Sequence, residues 1–242
     1  MSEIRTGLLY RITNMEPRQQ KLLNLVIETY IATAEPVGSR FLVEKAGLDW
    51  SEATVRNELR ALEEEGYLSH PHTSAGRVPT TKGYEYYLRQ LNRGVDTTSR
   101  KDSDLLKEAF SAYNDFEQAM KNVAKKLVEV SDETVLIAFS PEKVYYTGLA
   151  NLFEKPDFEE MKQIATVSEA FDHSDECLPE FFQKVKNEPE FYLGEDHPFG
   201  SMLSVVASRF GDDNKSLIVL LGPQRMNYKK NWGLIHKIIE II

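Results

Sequence analysis

"SEATVRNELRALEEEGYLSHPHTSAGRVPTTKGYEYY", residues 51–87, decides the fold. With a step of about 100° per residue from Val55, Leu59 falls at about 40° and Leu62 at about 340°, a narrow apolar stripe. Ala53, Asn57 and Arg60 fall on the opposite face, at about 160°, 200° and 140°, and Arg56 sits at its edge at about 100°. The pattern predicts an amphipathic helix, started by Asp49 or Ser51 as N-cap and stopped at Gly66. "YLSHP" and "GRVPT" flank a glycine-bearing turn and predict a short hairpin, its base stiffened by Pro71 and Pro79. A helix capped by Thr80 or Thr81 follows over "TTKGYEYYLRQLNRG". Tyr84, Tyr87, Leu88 and Leu91 share one of its faces, which leaves Tyr86 as the expected exposed tyrosine.

Upstream, "PRQQKLLNLVIETYIATAE" carries Leu22, Leu23, Val26, Ile27, Tyr30 and Ile31 at helical spacing, with Pro17 suited to the first turn. "EPVG" breaks that helix, and "SRFLVEKAG" predicts a short second one between Ser39 and Gly47. The order helix, helix, helix, hairpin, helix is that of a winged helix-turn-helix. Downstream, "GVDTTSRKDS" (94–103) lacks an apolar face and is expected to be a linker. A long helix is expected over 104–131, then the strands "TVLIAFS", "VYYTG", "EFYLG", "MLSVVASRF" and "SLIVLLG". Helices are expected near 157–166 and 178–187, and a last one from about Tyr228. The fold class is therefore α+β, with a DNA-binding-type domain over 1–93 and a sheet domain over 104–242.

The chain has 242 residues and a net charge of −9, unevenly placed. Residues 1–94 hold 12 basic and 12 acidic side chains, whereas 95–242 hold 17 and 26. A ligand responds to the field within about 10 Å at ~0.1 M salt, so the balanced first part has to be judged by itself. The single cysteine, Cys177, allows no internal disulfide and fits a reducing, cytoplasmic setting. Arg11 interrupts the only apolar start, so no secretion leader is expected. "LIVLL" (217–221) is too short for a membrane span.

The chemistry of the third helix points to duplex DNA. Arginine donates two bonds to guanine, asparagine pairs with adenine, and a small residue lets the helix approach closely. Glu63, Glu64 and Glu65 would be repelled by phosphates, so the N-terminal half is the part expected in the major groove. In the hairpin, Gly76 permits the turn, Thr73 and Ser74 offer hydroxyls to phosphate, and Arg77 is expected at the tip, entering a narrow minor groove. Each feature also has a plainer account: an amphipathic helix with a solvated charged face, and a surface loop.

"YIATAEPVGSR", the 51–87 stretch, "SDETVLIAFSPE", "TGLANLFEKPDF" and "GPQRMNYKKNWGLI" resemble the HrcA family of heat-inducible transcription repressors, densely over 17–91 and in patches after 100. The resemblance implies a winged-helix domain followed by a GAF-like domain with a dimerising segment inserted in it. It implies a homodimer on an inverted-repeat operator, CIRCE, before chaperone and chaperonin operons, with the chaperonin GroEL keeping the repressor active. It places Ser51, Ala53, Thr54, Arg56, Asn57 and Arg60 on the reading helix, and Thr73, Ser74, Gly76 and Arg77 on the wing. Arg40 and Lys82 become phosphate contacts, and the place of action is the nucleoid in a bacterial cytoplasm. This chain departs from the pattern in three ways. "SPEKVYY" and "TGLANLFEKPDF" nearly touch where the family carries the insertion, Gln224 stands where threonine is usual, and Asn227 replaces a usual aspartate.

Other classes have less support. No G-x-S-x-G, Walker A or H-E-x-x-H occurs, so no enzyme is expected. His173 with Cys177, and His70 with His72, do not make a three-ligand metal set, and Cys177 is expected to be a buried or idle thiol. No cofactor is expected. A small-molecule sensor remains the alternative, with "YLGEDHPFG" and "SVVASRF" lining a pocket.

Overall fold

The computed structural model describes residues 15–45, 47–71, 76–91, 98–158, 160–211 and 215–242. The chain divides into two compact units, Met1–Leu91 and Asn92–Ile242.

In the first unit, α1 (Pro17–Thr33) buries Leu22, Leu23, Val26 and Ile27 and ends at Ala34 in the left-handed region, φ 57°. Then come α2 (Ser39–Lys45) and α3 (Glu52–Glu64). Ser51 Oγ caps α3 by accepting from the Thr54 N–H at 3.1 Å. β1 (Leu68–Ser69) and β2 (Val78–Pro79) pair antiparallel, Leu68 against Pro79 and Ser69 against Val78. The pairing extends beyond the hairpin. Val37 N–H donates to Arg77 O and Arg77 N–H to Val37 O, both at 2.9 Å. This bridge dictates Gly76, since a Cβ there would stand 2.7 Å from the Pro36 carbonyl carbon. α4 (Thr81–Gln90) starts at Thr80, whose Oγ1 accepts from the Gly83 N–H. Tyr86 is buried like its neighbours, against expectation, because its ring meets Tyr67 edge-on with centroids 5.5 Å apart.

The second unit is built on five antiparallel strands in the order β4-β3-β7-β6-β5. They are β3 (Thr134–Ser140), β4 (Lys143–Thr147), β5 (Glu190–Leu193), β6 (Leu203–Phe210) and β7 (Ser216–Pro223). The three central strands are apolar on both faces because both are covered. Leu136, Val205, Val219 and Leu221 join a core with Leu152, Phe158, Val167, Leu178 and Phe181. Those come from α7 (Leu149–Phe153), a 3₁₀ turn at Pro156–Phe158, α8 (Met161–Asp172) and α9 (Ser174–Lys184). Also packed against the strands are α6 (Phe116–Ser131) and α10 (Tyr228–Ile241), with α5 (Arg100–Ser111) packed against these two helices.

The helices differ from expectation in several places: α7 was not expected, the helix expected near 157–166 starts at Met161, and two further differences lie around α5 and α6. The long helix of 104–131 is two, parted at Ala112–Asp115, where Asp115 accepts from the Gln118 N–H at 2.9 Å. Short polar side chains in "YND" bond their own backbone and so compete with helix continuation. Residues 100–103, expected as linker, form the first turn of α5, capped by Ser99. No helix of the described residues is long and apolar enough to cross a membrane.

Candidate functional site

α3 turns the expected faces inward and outward. Val55, Leu59 and Leu62 are buried, while Ala53, Arg56, Asn57 and Arg60 are exposed. Ser51 and Thr54 are engaged at its cap, their hydroxyl oxygens 2.8 Å apart. Each arginine on this surface is held by a carboxylate one turn away. Arg56 Nη2 donates to Glu52 Oε1 at 2.6 Å, Arg60 Nε to Glu64 Oε1 at 2.9 Å, and Arg40 Nε on α2 to Glu44 Oε1 at 2.8 Å. The i,i+4 spacing makes these pairs readable in the sequence, where they went unremarked. Exposed pairs of this kind contribute about 0–1 kcal/mol, so another anion can take the carboxylate's place.

Two residues sit elsewhere than expected. Arg77 adjoins Val78 on the turn side of β2 and is bridged to Val37, its side chain 18% exposed and its Nε 2.8 Å from Glu63 Oε2. That is ion-pair range, but the N–H is not aligned for a hydrogen bond. Lys82 Nζ donates to the Glu65 carbonyl at 2.6 Å and lies 4.2 Å from the centre of the Tyr67 ring. It thereby closes the C-terminal end of α3, where a cation meets the negative end of the helix dipole. Thr73 and Ser74 lie outside the described residues. A notch of about 360 Å³ opens between α2, α3 and the hairpin, lined by Val37, Gly38, Ser39, Arg56, Leu59, Gly76 and Arg77.

Two ion pairs of the second unit lie largely inside it. The segments "TGLANLFEKPDF" and "GPQRMNYKKNWGLI" meet there. Arg225 forks onto Asp157, Nε to Oδ2 at 2.8 Å and Nη2 to Oδ2 at 2.7 Å. Lys155 Nζ donates to Glu133 Oε2 at 2.7 Å, and Glu133 also bonds the buried Asn231. Glu133 is 3% exposed, and this burial pushes its carboxyl up to about 7, opposed by Lys155. Gly222 has no room for a side chain, since a Cβ would overlap the Glu133 carboxylate. The two single-residue departures from the family pattern, Gln224 and Asn227, are accommodated. Asn227 Oδ1 caps α10 by accepting from the Lys230 N–H, and Gln224 Nε2 donates to Ser201 O at 2.8 Å.

"YLGEDHPFG" and "SVVASRF" do not line one pocket among those described. Arg209 and Phe210 border a cleft of about 720 Å³ with Phe110, Phe116 and Ile239. Glu195 to Pro198 border a separate hollow of about 210 Å³ beside Cys177, which is exposed rather than buried. Among the described residues, no group of three or more His, Cys, Asp or Glu could hold a metal ion.

Comparison with known proteins gives the following. A family model described as the HrcA protein C terminal domain matches residues 84–231, more than half of the chain, beginning inside α4. The heat-inducible transcription repressor HrcA of Acetivibrio thermocellus is 39% identical over 129 residues, 53% of this chain and 36% of that protein. The protein of the same name from Pelotomaculum thermopropionicum is 40% identical over 129 residues, again 36% of its length. The chain thus spans about a third of the length of these curated relatives in its match to them. The repressor of Thermodesulfovibrio yellowstonii is 24% identical over 336 aligned positions, covering 93% of this chain and 96% of that protein. That alignment is longer than the chain itself, so the relative carries residues this chain lacks. A crystal structure at 2.2 Å resolution of a hypothetical protein has the same fold, with a TM-score of 0.73 at 17% identity, over 94% of this chain and 97% of that one. By the extent of the family match, the chain belongs to the HrcA family.

Proposed function

We propose that this chain is a DNA-binding repressor of heat-shock operons, acting in the bacterial cytoplasm as a homodimer on an inverted-repeat, CIRCE-type operator. The observation that carries the reading is the outward face of α3, where Ala53, Asn57 and Arg60 stand exposed, opposite the buried Val55, Leu59 and Leu62. The element order around that helix supports a winged helix-turn-helix, with β1 and β2 as the wing. In this reading Asn57 and Arg60 meet base edges, Ala53 allows the close approach, and Arg40 meets backbone phosphate. Lys82 contributes by holding the end of α3. Thr73 and Ser74 keep their assignment to the wing. One reading helix spans few base pairs, so a two-fold pair on two half-sites supplies the selectivity. The second unit, a GAF-like domain without the family's inserted segment, is the place for that pairing and for an answer to the chaperonin GroEL.

Footprinting of the purified chain on the promoter of its own operon tests this. A protected inverted repeat is expected, with affinity falling about 10³–10⁵-fold between about 50 and 200 mM salt for six to ten phosphate contacts. Absence of any protected site would remove the reading. A second reading, a regulator whose second unit senses a small molecule, is favoured by the 720 Å³ cleft, a volume usual for ligand sites. Thermal-shift screening against metabolites decides it, and silence across the screen would dismiss it.

A further inference from the structure

The notch between α2, α3 and the hairpin is approached by two guanidiniums from different elements, Arg56 from α3 and Arg77 from the edge of β2. Arg56 is held by an exposed pair on its own helix and Arg77 by a partly buried pair to α3. The Glu52 side chain that holds Arg56 is 45% exposed and also takes Ser39 Oγ, at 3.3 Å. Glu63 is shared between Arg77 and His70, whose Nδ1 lies 3.4 Å away, and the Arg77 Nε–H is not aligned for a hydrogen bond to it. The backbone of Arg77 is held in place, bonded through its N–H and its carbonyl to Val37, with Gly76 pressed against Pro36. Arg56 stands at the edge of the outward face of α3, turned toward the notch, unlike Asn57 and Arg60, which do not line it. Two guanidinium forks around one small polar notch suit an anion with two equivalent oxygens.

We propose that this notch seats a single backbone phosphate of duplex DNA, its two non-bridging oxygens shared between Arg56 and Arg77, with Glu52 and Glu63 holding the guanidiniums until it arrives. The proposal rests on the DNA-binding reading and deepens it. Arg56 then sets the register of α3 on the duplex, and base selection falls to Asn57 and Arg60.

Full-length protein is titrated with a fluorescent random-sequence duplex at several salt concentrations. Arg56→Gln and Arg77→Gln are each expected to weaken binding and to reduce the log–log salt slope by about 0.9, the value for one phosphate. Because they share that phosphate, the double variant is expected to lose about 0.9 in total, not twice as much. Glu52→Gln is expected to tighten binding. Where Arg77→Gln does not fold, Arg77→Lys serves instead: it keeps the charge, so it is expected to keep the slope while binding more weakly, because an ammonium lacks the guanidinium fork. A duplex carrying one neutral methylphosphonate, walked along the strand, is expected to weaken parent binding at one position and leave both arginine variants unaffected there. A slope loss near 1.8 in the double variant, or two different methylphosphonate positions for the two arginines, would overturn the shared seat. Parent protein that binds steeply while both variants match it would overturn the notch alone. Parent protein that does not bind duplex at about 50 mM salt would overturn the DNA-binding reading itself.

Discussion

The arginines on α3 and two cations of the second unit, Arg225 and Lys155, are paired in opposite ways. On α3 the arginines are exposed, and each is held by a carboxylate on its own helix, one turn away. In the second unit Arg225 and Lys155 are 15% and 13% exposed, and each reaches a carboxylate on another element. A surface pair in water is cheap to exchange, so the first arrangement suits a face that meets changing anions. A buried pair is costly to open, because the partner left behind is a desolvated charge, so the second arrangement suits a fixed junction. The location of the pair, more than its chemistry, decides which one it serves.

The largest consequence concerns Arg225. Arg225→Met should destabilise the second unit by about 3 kcal/mol, the low end for a buried pair, since some solvent still reaches it. Urea denaturation of the whole chain measures this, and a loss below about 0.5 kcal/mol would place the fork with the surface pairs.

A related effect follows pH. The folded-state pKa of Glu133 is raised above its unfolded value, so its stabilising share is complete below the ordinary carboxylate range and is lost as pH rises through about 7. His197 has the opposite sign. Burial lowers its pKa to about 4, so its share is present above the ordinary histidine value and is lost as pH falls toward 4. The two partly cancel in the parent. The informative quantity is therefore the stability difference from Glu133→Gln, which should move against the parent by on the order of 3 kcal/mol between about pH 4.5 and 8. A difference independent of pH would show that Lys155 keeps Glu133 ionised throughout.

A smaller effect belongs to the outward face of α3. Asn57→Ala should reduce discrimination among base pairs at one position by about 1–3 kcal/mol, measured by competition between duplexes. Unchanged selectivity would move base contact away from Asn57. The smallest effect tests the contrast itself. Arg60→Met should change folding stability by no more than about 0.5 kcal/mol, although it removes an ion pair of 2.9 Å, close to the 2.7 Å of those inside the second unit. A larger loss in the same urea experiment would mean that the α3 pairs are structural.

The sequence showed most of the fold wherever a short period decides it. The stripe of Val55, Leu59 and Leu62, the caps at Ser51 and Thr80, and the apolar runs of β3, β6 and β7 all depend on neighbours within a few residues. The break at Ala112–Asp115 was also written locally, in Asn114 and Asp115, but the apolar stripe continues across it and hides it. The sites were less legible. Nothing in the spacing of Arg77 indicates that its backbone pairs with Val37, forty residues earlier, and this pairing ties it to the turn before α2. Nor does the run Glu63, Glu64, Glu65 indicate that its last member offers a carbonyl to Lys82. Such partners are chosen by tertiary approach, which periodicity does not encode.

The paired bonds between Val37 and Arg77 carry one more consequence. They fasten the hairpin to the turn that precedes α2, so helix and finger make a single stiff caliper rather than two hinged arms. The opening of such a caliper is fixed by main-chain atoms. Exchanging surface side chains would alter what its jaws grip while leaving their spacing as it was, and only a residue bulkier than Gly76 would spread them.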